Sequence, residues 1–291
     1  KLRCKCNFHA LKFSTKIQRV GSLLLERLRK HRARKNTLEE QLLGSYVIKP
    51  DDDDEAQTSK YLALHLRFEV DMVAYSRCYF GGGETEKTEL RLYREEHFPL
   101  LLERLKKTRY VSPPELRRAG RCPLTPEEAA LVLAGLGFSS KTLIYLAGSQ
   151  IYGGESRMQP LIKLYPHIVT KEDLLSPVEL APLRNFSSQL AALDFIATAA
   201  SDVFAMTDSG SQLSSLVSGF RTYYGEGNAP TLRPSKLRLA AILQQNSTIS
   251  WHIFRERIKK MIEENQRVHT RRNGRSIYRQ PQCNECMCKN Q

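Results

Sequence analysis

Apolar positions along the chain switch between short buried runs and longer stripes with helical spacing. The short runs predict strands at residues 60–66, 141–147 and 202–206, and a weaker strand at 167–170. The helical stripes lie at residues 14–35, 95–107, 127–136, 156–164, 187–200 and 212–221. Strands that alternate with helices of this length are typical of βαβ units. The chain is therefore predicted to be an α/β protein with a Rossmann-like parallel sheet and flanking helices.

The start of one helix is marked by its capping residues. Thr125 and Glu128 have the spacing of a capping box, and Pro126 stands at the first helical position. Gly137 directly follows the last apolar residue of this stripe. We therefore expect the helix to begin after Thr125 and to stop at Gly137.

The positive charge of the chain is concentrated at its two ends. Residues 1–50 hold thirteen Lys and Arg against three Glu, and residues 251–291 hold ten against four acidic residues. The part between them is close to neutral, although the whole chain carries +14. This distribution favours solvated or anion-facing flanks over a nucleic-acid interface, with nucleic-acid or membrane-surface contact as the alternative. No nucleic-acid partner is expected.

Three segments are predicted along the chain. An acidic run at residues 51–55 is typical of a solvated linker. It ends a basic, helical segment, residues 1–56, which we interpret as the tail of a preceding domain. Residues 57–245 form the predicted nucleotide-binding domain, and residues 246–291 form a basic helix with a cysteine-containing tail.

The cysteines fall into groups with different interpretations. Cys78 and Cys122 have no nucleophile motif around them and are predicted to be structural partners. Cys283, Cys286 and Cys288 form a C-x-x-C-x-C pattern that is compatible with zinc or with disulfides. No histidine lies at a usual spacing to complete a zinc site, so both alternatives stay open. N-glycosylation acceptor triplets at residues 185–187 and 246–248 favour the secretory pathway slightly.

Ligands of a parallel sheet bind beyond the carboxyl ends of its strands, and this rule selects three segments. The first contains His65, Arg67 and Glu69, which alternation would place on one face of the strand. The planar guanidinium of Arg67 suits bidentate contact with a phosphate. The alternative is a structural ion pair between Arg67 and Glu69 at the sheet edge.

The segment after the second strand is rich in glycine. Gly148 would allow a tight turn before Ser149, and Gly153 and Gly154 would allow a ligand to approach the backbone closely. The segment contains neither the G-x-G-x-x-G pattern of dinucleotide sites nor the P-loop pattern.

The segment after the third strand places small polar residues before a helix. Asp208, Ser209, Gly210 and Ser211 precede a helix whose first N–H groups and positive dipole end could hold a phosphate. Ordinary capping of the helix is the alternative. An arginine and a helix N-terminus at neighbouring strand ends together predict a diphosphate site.

Several longer motifs resemble one family. They are HLRFEVDM at residues 65–72, CPLTPEEA at 122–129, YLAGSQIYGG at 145–154, FAMTDSGS at 204–211 and RVHTRRNGRSIY at 267–278. Together they resemble the plant O-fucosyltransferase-like glycosyltransferases, over nearly the whole chain. The resemblance implies the carboxyl-terminal, donor-binding half of a GT-B enzyme, in which two Rossmann-type domains face each other across a cleft. The family's N-terminal domain, a further partner, has no match in this sequence.

The resemblance also implies an activity and a location. Members invert the sugar configuration, and the implied reaction transfers fucose from GDP-fucose to a hydroxyl of a glycan or protein, with no metal or other cofactor. Alternatives are a UDP-rhamnose-dependent pectin rhamnosyltransferase of the same family and a non-catalytic nucleotide-sugar-binding protein. The implied location is the Golgi lumen, as part of a type II membrane protein.

The resemblance assigns roles to individual residues. Arg67 matches the arginine that contacts the donor diphosphate, His65 and Glu69 shape its motif, and Asp202 matches an aspartate of the nucleotide pocket. The remaining donor-binding candidates are Gly148, Ser149, Asp208, Ser209, Gly210 and Ser211. Arg67 is also a catalytic candidate because it would stabilise the leaving diphosphate, and Glu69 and Asp71 are the candidates for the general base.

Overall fold

The computed structural model describes residues 8, 10, 12–30, 37–47, 60–208, 210–225, 229–245 and 248–266. The strands are β1 Tyr61–His65, β2 Leu143–Ala147, β3 Ile168–Val169, β4 Val203–Met206 and β5 Thr231–Leu232. The helices before β2 are α1 Thr15–Leu28, α2 Thr37–Leu43, α3 Val70–Ser76, α4 Gly83–His97, α5 Pro99–Lys106, α6 Pro113–Arg118 and α7 Pro126–Leu136. The later helices are α8 Gly154–Leu164, α9 Lys171–Leu174, α10 Pro177–Leu180, α11 Ser187–Ala200, α12 Gln212–Tyr224, α13 Lys236–Leu243 and α14 Trp251–Gln266.

The five strands form one sheet in the order β3-β2-β1-β4-β5, and every pair in it is parallel. This is the strand order of a Rossmann-like sheet, so the predicted fold class is confirmed. The chain passes from β1 to β2 on one side and returns to β4 on the other. The strand order therefore reverses at β1, and a crevice opens at such a point beyond the carboxyl ends of the strands.

Alternate residues of each strand supply two separate hydrophobic cores. Tyr61 and Ala63 of β1 belong to the core that contains α1, α11 and α12. Leu62 and Leu64 belong to the core on the other face, with residues of α3, α4, α7 and α8. All five residues of β1 are buried, as expected for a central strand covered by helices on both faces.

The basic N-terminal helix is part of this fold. Leu24 and Leu28 of α1 are fully buried in the core that they share with α11. Arg29 follows them and is 1% exposed, because it bonds Glu39 at 2.9 Å and the carbonyl of Ala200 at 2.8 Å. The boundaries predicted at residues 56 and 245 stay a prediction.

The helix predicted at residues 95–107 is wrong in its extent. The structure has two helices, α4 and α5, which meet at Phe98. A residue before proline is disfavoured in the α conformation, and Pro99 therefore ends one helix and opens the next. Most of α4 was missed because its sequence is dominated by charged residues and has a thin apolar stripe.

Other predicted features agree closely with the structure. The capping box of Thr125 and Glu128 is present, and Gly137 ends α7 in the left-handed conformation. Cys78 and Cys122 form a disulfide, which confirms their pairing. The acidic linker, residues 246 and 247 of the second glycosylation triplet and the cysteine tail lie outside the described residues. None of the described helices is long and apolar enough to cross a membrane.

Candidate functional site

A crevice of about 800 Å³ opens at the carboxyl edge of the sheet. It is lined by residues that follow β1, by the loop between β2 and α8, and by the first turn of α12. The structure thus brings together the three segments that were selected from the sequence. Six of the predicted site residues line this crevice: His65, Arg67, Glu69, Asp71, Ser149 and Ser211.

The path of the chain after β1 differs from the prediction. The strand ends at His65, so Arg67 and Glu69 do not continue its alternating faces. Glu69 instead has extended backbone geometry directly before α3. The three side chains reach the same crevice because the chain turns there, whereas strand alternation was the wrong reason.

The backbone amide of Arg67 forms a hydrogen bond that holds the chain at the end of β1. Its amide N–H donates to the hydroxyl oxygen of Thr207 at 3.0 Å, and that hydroxyl donates to the carbonyl of His65 at 3.0 Å. Thr207 follows β4, so its side chain joins the ends of two neighbouring strands. The backbone of Arg67 is therefore tied to the ends of two strands, and Arg67 lines the same crevice as the first turn of α12.

The first turn of α12 is compatible with both interpretations of its sequence, helix capping and phosphate binding. The hydroxyl of Ser211 accepts from the amide of Ser214 at 3.4 Å, so Ser211 caps the helix. The first N–H groups of a helix lack intrahelical acceptors, and Gln212 and Leu213 line the crevice. Capping and an anion-binding helix end are therefore compatible here.

Asp208 and Gly210 support the loop without lining the crevice. Asp208 Oδ1 accepts from the amide of Gly210 at 2.6 Å and pairs with Lys236 Nζ at 2.5 Å. Burial alone would raise the pKa of Asp208, but the hydrogen bond and charge of Lys236 outweigh it and lower the pKa. Ser209 lies outside the described residues.

His65 is a neutral, buried member of the site. Its ring Nδ1 lies 2.8 Å from Ser214 Oγ, and the residue is 4% exposed. Burial, together with the positive charge of Arg67, lowers the pKa of His65 to about 4. Arg67 is therefore the fixed positive charge of this strand end.

The two candidates for the general base have different surroundings. Glu69 is partly buried, and burial raises its pKa against the opposing effects of its own backbone amide and of the positive charge of Arg67. Its Oε2 atom is buried and has no hydrogen-bond partner in the described part of the chain. Asp71 is exposed, and its Oδ1 accepts from the amide of Met72 at 2.7 Å. A carboxyl with a raised pKa and a free oxygen is the better proton acceptor near neutral pH.

Gly148 lies directly behind the crevice wall. Its φ of +123° favours glycine, and a Cβ there would lie 3.2 Å from Glu69 Oε1 and 3.7 Å from the ring of His65. The predicted tight turn is therefore present, and it lets Glu69 approach the backbone.

The structure does not bring Asp202 to the crevice. Asp202 directly precedes β4 at the amino edge of the sheet, opposite to the ends that form the crevice. Its Oδ2 accepts from the amide of Tyr61 at 2.9 Å and lies 3.5 Å from Arg29 Nη1. The role that the resemblance implied for Asp202 in a nucleotide pocket has no support in this geometry.

The outer wall of the crevice was missed by sequence reasoning. Glu89 and Tyr93 lie one turn apart on α4 and line the crevice, and the hydroxyl of Tyr152 donates to Glu89 Oε2 at 3.0 Å. The signal that could have found them is their i, i+4 spacing, but α4 itself had not been predicted there.

The fold and the crevice define a class of protein. A parallel sheet whose strand order reverses beside an arginine and a helix N-terminus is typical of nucleotide-binding α/β proteins. Within the described residues, no group of three or more His, Cys, Asp or Glu side chains could hold a metal ion.

Comparison with known proteins shows the family. The family model described as GDP-fucose protein O-fucosyltransferase matches residues 1–224. The chain is 70% identical over 289 residues to O-fucosyltransferase 8 of Arabidopsis thaliana, and 55% identical over 292 residues to O-fucosyltransferase 15 of the same plant. The chain therefore belongs to the GDP-fucose protein O-fucosyltransferase family, as the motifs indicated. No solved structure matches it significantly.

The chain corresponds to part of its relatives. The two matches cover 99% of this chain but only 47% and 45% of the respective relatives. The chain thus spans about half the length of the curated relatives that it matches.

Proposed function

We propose that this chain is the donor-binding part of a glycosyltransferase that transfers fucose from GDP-fucose to a hydroxyl of a glycan or glycoprotein. The observation that carries the proposal is the position of Arg67 and the first turn of α12 in one crevice. Family membership supports the class of reaction, and the crevice supplies the groups that such a donor needs.

The diphosphate is the part of the donor that this crevice suits best. Breaking the bond between sugar and diphosphate develops negative charge on the leaving phosphate. The Arg67 guanidinium and the leading amides of α12 would stabilise that charge electrostatically. Losing one such contact typically costs about 3 kcal/mol of transition-state stabilisation, or roughly a hundredfold in rate.

Glu69 is our proposed general base for the acceptor hydroxyl. Glu69 lines the crevice and its raised pKa favours proton uptake, and the acceptor would enter beside Glu89 and Tyr93 of the outer wall. Transfer with inversion needs the hydroxyl to attack from the side opposite to the leaving diphosphate. In this proposal Arg67 and Glu69 therefore serve opposite sides of the sugar.

The remaining parts of the proposal concern the whole protein. We expect an N-terminal domain of the same protein to face this crevice in a GT-B arrangement. We also expect this part of the protein to lie in the Golgi lumen. The disulfide of Cys78 and Cys122 supports an oxidising compartment. Asn185, in the first glycosylation triplet, is exposed and accessible to such a modification.

Titration with GDP tests the diphosphate site. Arg67→Ala is expected to weaken GDP binding by about a hundredfold, because a charge-assisted contact to phosphate is lost. Arg91→Ala is the matched control, since Arg91 is exposed and pairs only with Glu95 on α4 in the described structure. Equal GDP affinity in the two variants would reject the role of Arg67.

A donor screen tests the sugar. Thermal shifts with GDP-fucose, GDP-mannose and UDP-rhamnose are compared with those of GDP and UDP alone. The proposal expects the largest stabilisation with GDP-fucose. Preference for UDP-rhamnose would favour the alternative donor, and nucleotide binding without transfer by the whole protein would favour a non-catalytic role.

A further inference from the structure

A buried ion pair lies beneath the crevice and does not touch it. Lys171 is the first residue of α9, and Asp194 lies in the middle of the apolar helix α11. Lys171 Nζ and Asp194 Oδ2 are 3.1 Å apart, and each side chain is 5% exposed. The hydroxyl of Tyr145, on β2, donates to Asp194 Oδ1 at 2.7 Å.

Lys171 and Asp194 form hydrogen bonds with both polar backbone groups of Gly148. The amide of Gly148 donates to Asp194 Oδ2 at 3.3 Å, and Lys171 Nζ donates to the carbonyl of Gly148 at 3.0 Å. Gly148 is the first residue after β2, and it has the left-handed φ that lets Glu69 approach. Both polar backbone groups of Gly148 are therefore hydrogen-bonded, and these bonds restrict the conformation of the turn.

Ser149, the residue after Gly148, connects this turn to the crevice. The amide of Ser149 contributes a small lowering of the pKa of the Glu69 carboxyl, and both residues line the crevice. A continuous set of contacts therefore runs from Asp194 and Lys171 through Gly148 to Glu69, whose Oε1 lies 3.2 Å from the position of a Cβ at Gly148. Burial raises the pKa of Asp194, and the charge of Lys171 opposes that shift.

We infer that Lys171 and Asp194 are positioning residues that set the Gly148–Ser149 turn and, through it, the carboxyl of Glu69. A buried ion pair is weak evidence for stability, because desolvation of the two charges offsets their attraction. Its contacts here converge on one turn of the crevice, which is what a positioning role requires. The inference rests on the proposed function only in naming Glu69 as the group that is positioned for chemistry.

The test replaces the two charges together, so that no buried charge is left uncompensated. Lys171→Met with Asp194→Asn keeps the side-chain volumes similar. Hydrogen exchange is followed by mass spectrometry in peptides that cover residues 147–154 and, for comparison, residues 60–66 of β1. We expect exchange about tenfold faster in the first peptide alone, since each lost hydrogen bond is worth about threefold to tenfold.

Binding supplies the second readout. GDP affinity of the double variant is expected to fall about tenfold, because Ser149 of the disturbed turn lines the crevice, while the melting temperature stays within a few degrees of wild type. Lys163→Met is the matched control, because it removes an exposed lysine of α8, and it is expected to change neither readout.

The possible outcomes separate this inference from the proposed function. Unchanged exchange in the loop of a folded double variant overturns the inference, and so does equally faster exchange in both peptides, which indicates a general structural role. Faster exchange in the loop alone, in a protein that does not bind GDP even as wild type, supports the positioning role and rejects the donor site.

If the double variant does not fold, Tyr145→Phe removes one hydrogen bond to Asp194 and should speed the same exchange about threefold. No change in that variant also overturns the inference.

Discussion

Nδ1 of His65 lies 2.8 Å from the hydroxyl oxygen of Ser214, and this contact joins the end of β1 to the first turn of α12. The arginine of the crevice follows β1 by two residues, and α12 supplies the helix amides. Both residues are buried, with exposures of 4% and 0%. A neutral imidazole suits this place, because a charged one would be desolvated and would lie close to Arg67.

Stability should depend on the protonation of His65. Its folded pKa of about 4 lies below its ordinary value of 6.5, so the unfolded chain binds the proton more readily. The contribution is fully present above pH 6.5 and is lost as the pH falls towards 4. Between pH 7 and pH 5 we expect a loss of about 2 kcal/mol in the free energy of unfolding. Urea denaturation measures it, and His65→Gln should lack this part of the pH dependence; an equal loss in that variant would contradict the assignment.

Gly148→Ala should disturb the crevice more than an ordinary glycine replacement. The new Cβ would lie 3.2 Å from Glu69 Oε1, in a backbone conformation that disfavours alanine. We expect weaker GDP binding and a loss of about 1–3 kcal/mol in stability. Gly137→Ala is the control, since its φ is also positive but no atom lies within 4 Å of the added Cβ. Comparable GDP affinities would show that the turn at Gly148 and Ser149 does not shape the donor site.

Glu69→Gln and Asp71→Asn should separate the two candidates for the general base. Glu69→Gln is expected to lower transfer by about a hundredfold or more, because the amide cannot accept the proton. Its affinity for GDP should stay close to wild type. Transfer is followed as acceptor-dependent release of GDP from GDP-fucose by the whole protein. A larger loss in Asp71→Asn than in Glu69→Gln would move the role to the exposed carboxylate.

Asp202→Asn should affect stability and leave the donor site unchanged. Asp202 pairs with Arg29 and accepts from the Tyr61 amide at the amino edge of the sheet. Loss of its charge is expected to lower the free energy of unfolding by about 1–2 kcal/mol. Isothermal titration with GDP should give the wild-type affinity. A strong loss of GDP affinity in a stably folded variant would restore the role that the resemblance implied.

Local sequence signals predicted most elements because each was encoded by nearby residues. The apolar run of β2 and the capping box at Thr125 needed no knowledge of the rest of the chain. The same reasoning failed at Phe98, where the proline that follows it separates two helices. It also assigned Arg67 and Glu69 to one strand face, although the strand had already ended at His65.

The amino-acid sequence by itself determined the α/β class, the alternation of its main strands and helices and the three strand ends where a ligand would bind. Those features depend on the spacing of hydrophobic residues and on the direction of the chain, and both can be read from residues that are close in sequence. Only the tertiary structure decided that Asp202 lies at the opposite edge, that Glu89 and Tyr93 form the outer wall, and that Lys171 and Asp194 meet under Gly148. These relationships join residues far apart in the chain, and packing of helices on the sheet brings them together.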